Sequence, residues 1–232
     1  MSKLFLLNNS KSILLFPNGF SFFKKEISGN ILEKTHSNTS ISFLPLFAKD
    51  YFVLENPETE KIDIIYDLFP PLLIPKVLYD ESTEYEALGS QFDISEGGQM
   101  KVEEMENYYA TYFINHNELN AIQKISNTPS FTHLDSLIFQ NLKDHSFYNS
   151  DNSLAISIND SYADYILIMS HKVHLVNRFS FTSEYDILYY LLNLIKQYGI
   201  KVDNCQIIFF QNKSTKINEI VSKYFHTCEC IV

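Results

Sequence analysis

Hydrophobic and polar positions in the last third of the chain form a regular pattern. The apolar runs "LAISI" and "DYILIM" flank the polar segment "NDSYA", and "KVHLVNRFSF" continues with apolar residues in partial alternation with polar ones. Apolar runs of this length, separated by Asn, Asp and Ser, are typical of short strands joined by tight turns. The pattern therefore predicts three consecutive antiparallel strands.

The segment that follows alternates between helix and strand. Apolar residues recur at helical spacing through "EYDILYYLLNLIKQY", with Ser183 and Asp186 as a capping box at its start and Gly199 at its end. "CQIIFF" predicts a buried strand, a second amphipathic helix follows Ser214, and "HTCECIV" predicts a last strand. The order βββαβαβ predicts a mixed α/β sheet covered by helices for residues 149–232.

The first 148 residues carry a weaker version of the same pattern. "SILLFPNGFSFFKK" predicts a hairpin, "SGNILEK" a third strand and "KLFLL" an additional edge strand. Later, "YYATYFIN" predicts a strand, whereas "HNELNAIQKI" and "FTHLDSLIFQNLKDH" predict helices. The acidic segment "TEYEALGSQFDISEGGQMKVEEME" predicts a solvated excursion with a short helix. We therefore expect residues 1–148 to be a divergent copy of the second half.

Composition narrows the classes of partner. The 232 residues carry a formal charge of −10, which disfavours nucleic acid as a partner. Arg178 is the single arginine, so the chain has few side chains that could bind phosphate through two parallel hydrogen bonds. No apolar stretch approaches the roughly 20 residues that span a bilayer, and the apolar run near the N-terminus is shorter than a signal-peptide core. Three cysteines do not make a disulfide framework. We expect a cytoplasmic protein without a membrane span, whose partner is another protein.

Four segments together resemble an uncharacterised family from Bacteroidetes, known only as a domain of unknown function. They are "NGFSF", "LLIPKVLYDESTEYEAL", "FTHLDSLI" and "FSFTSEYDILYYLLNLIKQYGI". The resemblance covers nearly the whole chain and implies a duplicated ribonuclease H-like, actin-like ATPase fold, with two halves and a cleft between them. The family is distantly similar to pilus-assembly and cell-division members of the actin superfamily. It supplies no activity, ligand or catalytic residue.

The implied fold directs attention to three turns. Actin-type ATPases hold the nucleotide with a glycine-bearing hairpin turn in each half, an aspartate near the metal, and a glycine-rich turn at the adenosine. Glycine lets the backbone approach phosphate or base closely. The corresponding positions here are Asn18 and Gly19, then Asn159, Asp160 and Ser161, then Gln211, Asn212 and Lys213. The first turn lacks an acid, the second lacks a glycine, and the third lacks both.

The loss of these glycines and carboxylates favours a non-catalytic actin-like protein, a pseudo-ATPase that acts as a binding or scaffold module without a cofactor. The alternative is an atypical nucleotide-binding ATPase or kinase relative that uses the interdomain cleft. In that case ATP and magnesium would contact Asp160, Asn212 and Lys213. A nuclease is disfavoured, because two-metal catalysis needs several converging carboxylates.

Soft metal ligands occur at the C-terminus. His226, Cys228 and Cys230 share one face if "HTCECIV" is a strand, but no fourth ligand is evident, so buried thiols are the alternative. His171 and His174 point to opposite faces of a strand. We expect His133 and Asp135, two positions apart and not facing one another, to serve at a helix start. The sequence predicts no catalytic residue and no metal centre.

Overall fold

A computed structural model describes most of the chain. The described residues are 9–54, 61–80, 82, 86, 88–90, 94, 97–143, 151–210, 215–226 and 228–231. They form two compact units, divided between Leu137 and Ile138. The boundary expected at residues 148 and 149 falls in segment 144–150, outside the described residues. No helix among the described residues is both long and apolar enough to cross a membrane.

The described elements of the N-terminal unit include eight strands, two helices and the first four residues of a third helix. The strands are β1 (Lys11–Phe16), β2 (Gly19–Lys25), β3 (Ile31–Ser37), β4 (Asp63–Tyr66), β5 (Leu72–Pro75), β6 (Gly98–Met105), β7 (Tyr108–Asn115) and β8 (Ser130–His133); the helices are α1 (Leu44–Phe52), α2 (His116–Gln123) and α3 (Leu134–Lys143), which crosses the division. Five strands form a sheet in the order β3-β2-β1-β4-β8. The other three form a sheet in the order β5-β7-β6. Short 3-10 turns cover Ile41–Phe43 and Lys76–Leu78.

The described part of the C-terminal unit contains one sheet, two helices, a 3-10 turn at Val202–Asn204 and the last six residues of α3. Its elements are β9 (Asn152–Ile158), β10 (Tyr162–Met169), β11 (Lys172–Ser180), α4 (Glu184–Gln197), β12 (Gln206–Phe210), α5 (Thr215–Val221) and β13 (Cys228–Ile231). The strand order is β11-β10-β9-β12-β13. As predicted, the described elements follow one another as βββαβαβ.

The two five-stranded sheets have the same topology. In each, the first three strands are antiparallel neighbours, and the next two strands lie parallel to the first. β1 therefore corresponds to β9, β4 to β12 and β8 to β13. The duplication that the sequence predicted is confirmed at the level of the fold.

Each five-stranded sheet packs one face against helices. In the C-terminal unit, Leu154, Tyr165 and Phe209 pack against Ile187 and Leu191 of α4. The Tyr165 hydroxyl also donates a hydrogen bond to the Ile187 carbonyl oxygen at 3.2 Å, which ties the sheet to the helix. In the N-terminal unit the apolar face of the sheet covers α1 and α2 through a second buried cluster. Burial of these side chains is the main stabilising contribution in each unit.

The residues that cap the two ends of α4 were predicted correctly. The Asp186 carboxylate accepts the backbone N–H groups of Thr182 and Ser183, each at 2.9 Å. Gly199 adopts a φ of 67°, and the following Ile200 N–H returns to the Ile195 carbonyl oxygen. These contacts satisfy backbone groups that a helix end otherwise leaves to water.

Two predictions in the N-terminal half were wrong. "FTH" belongs to β8, not to the following helix, because it pairs in parallel with β4. The acidic residues 98–105 form β6, because they pair along their length with β7. In both cases a non-local strand partner outweighs the local pattern. The predicted edge strand "KLFLL" lies outside the described residues.

The single arginine forms an ion pair within the C-terminal sheet. Asp164 and Arg178 face each other across β10 and β11, with Nε–Oδ1 and Nη2–Oδ2 distances of 2.6 and 2.8 Å. The side chain of Asp164 is 1% exposed and that of Arg178 is 12% exposed. The guanidinium also lies 3.9 Å from the centre of the Tyr162 ring. Arg178 thus compensates a buried carboxylate.

We expect Arg178→Met to lower the free energy of unfolding by about 3 kcal/mol, because it leaves the Asp164 carboxylate buried without its cation. Urea denaturation would measure the change. The double variant Asp164→Asn/Arg178→Met is the control and should recover part of the loss. A single variant within about 0.5 kcal/mol of wild type would contradict this role.

Candidate functional site

The first hairpin turn lies between β1 and β2 and contains Asn18 and Gly19. The Thr39 N–H donates to the Asn18 carbonyl oxygen at 3.4 Å, which links the turn to the segment after β3. A Cβ at Gly19 would lie 2.0 Å from the carbonyl oxygen of His36. The β3 backbone therefore leaves no room for a side chain at position 19. This contact accounts for the glycine, and no ligand is needed to explain it.

A cavity of about 360 Å³ lies beside this turn. Its described lining residues are Phe16, Pro17, Gly19, Thr39, Ser40, Ile41, Leu68, Phe69 and Glu118. They come from the hairpin, the segment after β3, the segment after β4 and the first turn of α2. Among them, Glu118 is the only residue with an ionisable side chain. We call this space the first hairpin cavity.

Glu118 is held by the start of α2. Its backbone N–H donates to Asn115 Oδ1 at 3.0 Å, and its carboxylate accepts the Asn115 backbone N–H at 3.1 Å and the side-chain amide at 2.7 Å. The Tyr66 hydroxyl lies 3.3 Å from Oε2. Glu118 is 6% exposed, and burial raises its pKa to about 7. The sequence "NHNE" carries the capping-box signal that would have pointed to this residue.

The second hairpin turn, between β9 and β10, contains Asn159, Asp160 and Ser161. The Asn159 N–H donates to the Tyr162 carbonyl oxygen at 2.9 Å, and its side-chain amide donates to the Tyr162 hydroxyl at 2.7 Å. The Asp160 N–H donates to Asn159 Oδ1 at 2.8 Å, and the Ser161 carbonyl oxygen accepts the Phe181 N–H. The three predicted residues therefore form one turn, in which Asp160 and Ser161 are exposed.

A smaller cavity of about 240 Å³ lies beside this second turn. Its described lining residues are Ile158, Asn159, Phe181, Thr182, Ser183, Glu184, Ile187 and Ile217. Glu184 is the only one with an ionisable side chain, and its hydrogen bond to Lys216 at 2.9 Å lowers its pKa. Asp186 already accepts N–H groups at the start of α4. The N-terminus of α4, where a helix attracts anions, is therefore already occupied by the Asp186 carboxylate.

The remaining predicted nucleotide contacts, Gln211, Asn212 and Lys213, lie outside the described residues. The structure places Asn18 and Gly19 in one unit, and Asn159, Asp160 and Ser161 in the corresponding turn of the other unit.

The C-terminal metal candidates are spread over different environments. Cys228 packs against the core and Cys230 is exposed, whereas His226 precedes β13, with its Nε2 3.7 Å from Asp203 Oδ1. Burial raises the pKa of the Cys228 thiol to about 11. Over the described part of the chain, no group of three or more His, Cys, Asp or Glu side chains is arranged to hold a metal.

A buried polar cluster in the N-terminal unit was missed by the sequence analysis. Glu103 of β6 accepts the His133 backbone N–H at 2.9 Å and the Tyr112 hydroxyl at 2.8 Å. Burial raises the pKa of Glu103, and these hydrogen bonds oppose the shift. The cluster joins β6, β7 and β8. Its acid lies in the segment that was predicted to be a solvated excursion.

His133 and Asp135 serve at a helix start, as expected. His133 Nδ1 accepts the Asp135 backbone N–H at 3.1 Å, and Nε2 lies 2.8 Å from the Phe69 carbonyl oxygen. These contacts assign the ring proton to Nε2 and make the imidazole neutral. The expectation that the two side chains do not face one another was wrong, because Nδ1 lies 3.7 Å from Asp135 Oδ2.

Comparison with known proteins defines the family and the fold. A family model described as protein of unknown function (DUF3822) matches residues 6–228. The chain belongs to this family. No curated protein matches it.

Solved structures show the fold. A protein of unknown function with an actin-like ATPase fold, from Bacteroides thetaiotaomicron VPI-5482, is similar over 95% of this chain and 90% of its own, with a TM-score of 0.77 and 16% identity. The PilM-PilN type IV pilus biogenesis complex matches over 96% and 88%, with a TM-score of 0.65 and 10% identity. The ethanolamine utilization protein EutJ from Carboxydothermus hydrogenoformans matches over 97% and 86%, with a TM-score of 0.51 and 8% identity. The predicted actin-like ATPase fold and the predicted family are both confirmed.

We expect Glu118→Gln to change the pH dependence of stability. The pKa of Glu118 rises from the usual 4.5 to about 7 on folding, so its ionisation favours the unfolded chain. Glu118 therefore lowers stability progressively from about pH 4.5 to pH 7, and the loss persists above that range. Glutamine keeps the capping geometry but does not ionise, so the variant should gain stability relative to wild type as pH rises.

Thermal or urea unfolding of both proteins at pH 5 and pH 8 would measure this difference. Asp50→Asn, which changes an exposed carboxylate on α1, is the control and should show little change. A constant difference between wild type and Glu118→Gln at the two pH values would contradict the assignment.

Proposed function

We propose that this protein is a non-catalytic actin-like protein that acts as a cytoplasmic binding or scaffold module for another protein. The proposal depends chiefly on the side chains that line the two hairpin cavities, because none of the described lining residues is cationic. Each has a carboxylate as the only ionisable side chain among its described lining residues: Glu118 in the first and Glu184 in the second. Hairpin turns are where an actin-type ATPase would hold phosphate.

A nucleotide phosphate needs backbone donors and cations around its oxygens. At the first cavity the ionised form of the buried Glu118 carboxylate repels phosphate, and the repulsion is stronger inside a protein than in water. The arginine is not available to offset it, because Arg178 is bonded to Asp164 through two hydrogen bonds. Gly19, the residue that most resembles a phosphate-loop glycine, is explained by the proximity of the β3 backbone.

A protein partner is supported by two observations. The similar PilM-PilN structure is a complex of two proteins, so the fold is compatible with a role in assembly. On α4, Tyr185 and Tyr189 lie one turn apart and are 65% and 64% exposed. Tyrosine is enriched at protein interfaces because it combines a large apolar area with a hydroxyl group. The net charge of −10 disfavours nucleic acid as the partner.

We expect calorimetric titration with ATP, ADP and GTP, with and without magnesium, to show no binding at micromolar concentrations. The physical reason is the carboxylate in each hairpin cavity. Asp160→Ala is the matched variant, because it removes the one acid of the second hairpin turn. Micromolar binding that depends on magnesium and is lost in Asp160→Ala would overturn the proposal in favour of an atypical ATPase or kinase relative.

We expect the protein, purified under native conditions from its own cells, to retain another polypeptide at a constant molar ratio. Quantitative mass spectrometry across a gel-filtration peak would measure this ratio. A variant with Tyr185→Ser and Tyr189→Ser tests whether the exposed tyrosines contribute, and should reduce the ratio. Recovery of the wild-type protein without a stoichiometric partner, under gentle salt conditions, would count against the scaffold role.

A further inference from the structure

The first hairpin cavity combines apolar walls with one buried carboxyl group. Phe16, Pro17, Ile41, Leu68 and Phe69 provide the apolar part of the lining. The hydroxyl-bearing residues Thr39 and Ser40 and the carboxyl-bearing Glu118 provide the polar part. A volume of about 360 Å³ is within the range of sites for small organic ligands.

Every described group that forms a hydrogen bond with the Glu118 carboxylate is neutral. The donors are the backbone and side-chain amides of Asn115; the Tyr66 hydroxyl also lies 3.3 Å from Oε2, while its shorter hydrogen bond, at 2.9 Å, is to the Phe113 carbonyl oxygen. A buried carboxylate is normally compensated by a cation, as Asp164 is by Arg178. At Glu118 the described residues supply hydrogen bonds but no opposite charge. A bound cation would provide what the site lacks.

The composition of the lining selects among possible ligands. An anion would be repelled by Glu118. Calcium and magnesium require about six oxygen ligands, whereas this lining offers one carboxylate and two hydroxyl groups. An organic cation satisfies both parts of the cavity, since its charged end pairs with Glu118 and its hydrocarbon part contacts the apolar walls.

We propose that the first hairpin cavity binds an organic cation, an alkylammonium or guanidinium group, through an ion pair with Glu118. The cation belongs either to a free amine or to a lysine or arginine side chain of a partner, which offer the same chemistry. The proposal goes beyond the scaffold role and does not require it. If the protein bound neither nucleotide nor amine, the proposed scaffold role would stand and the proposed cation site would be wrong.

Titration followed by protein NMR tests the site with four probes. Benzylammonium is compared with benzyl alcohol, its neutral counterpart of similar shape. The blocked amino acids Nα-acetyl-lysine methylamide and Nα-acetyl-arginine methylamide represent a partner's side chain. We expect benzylammonium to bind at least tenfold more tightly than benzyl alcohol. If a blocked amino acid binds more tightly than benzylammonium, the natural cation is a partner's side chain; the reverse order indicates a free amine.

Glu118→Gln should weaken binding of the cations at least tenfold and leave benzyl alcohol unchanged, because it removes the charge and keeps the shape of the side chain. Glu184→Gln, in the second cavity, is the matched control and should bind as wild type does. Circular dichroism would verify that both variants fold.

The pH dependence provides a second measurement on the unaltered protein. Affinity for benzylammonium should rise about tenfold from pH 6 to pH 8, as Glu118 becomes ionised. Among the described residues, the ionisable side chain bonded to Glu118 is that of Tyr66, from β4, and the next are Tyr112, stacked on Tyr66, and Glu103, bonded to Tyr112. Burial raises the pKa of Tyr112, so its hydroxyl does not ionise in this range.

Three results would overturn the proposal. Equal affinity for benzylammonium and benzyl alcohol would show that the cavity recognises apolar shape only. Undiminished binding of the cations by Glu118→Gln would place the site elsewhere. Absence of binding by all three cations at millimolar concentration would show that the cavity is not a cation site.

Discussion

Each half of the molecule depends on the way its first strand pairs with two different neighbours. β1 is antiparallel to β2 and parallel to β4, and β9 is likewise antiparallel to β10 and parallel to β12. This pairing places the hairpin turn next to the end of the parallel strand, where the chain leaves the sheet. The cavity beside each turn is therefore a consequence of topology, present whether or not the residues around it can bind a nucleotide.

The residues at these positions place an acid beside each hairpin turn. At the first hairpin, Glu118, the acid that caps α2, lines the cavity. At the second, Glu184 from the start of α4 lines the cavity, and Asp186 accepts the N–H groups of Thr182 and Ser183. Capping by an acid stabilises a helix through its N-terminal N–H groups. Phosphate binding depends instead on free N–H groups and cations, and neither cavity has a cationic side chain among its described lining residues. Helix capping and phosphate binding therefore make opposite demands on these two cavities.

Buried polar groups elsewhere connect strands to one another. Asp164 and Arg178 join β10 to β11, and Glu103 joins β6 to β7 and β8. A buried ion or hydrogen-bonding group without its partner costs several kcal/mol, so these contacts stabilise the pairing of the strands that they join. Sequence analysis tends to assign acids and histidines of this kind to catalysis or metal binding. Here their contacts give them a structural role.

The sequence by itself determined the C-terminal half. Its apolar runs, the capping acid Asp186 and the terminal Gly199 act through neighbours a few residues away, so the local pattern was sufficient to predict the elements and their order. The tertiary structure decided where strands pair over long distances. The sequence of β6 is typical of an acidic loop, but β6 pairs with β7. The sequence "FTH" is compatible with a helix, but it pairs with β4 as part of β8. It also decided that Glu118 reaches a cavity formed by segments about 50 to 100 residues away in the chain. Burial and charge at a site of this kind arise from contacts between distant residues, and no local pattern records them.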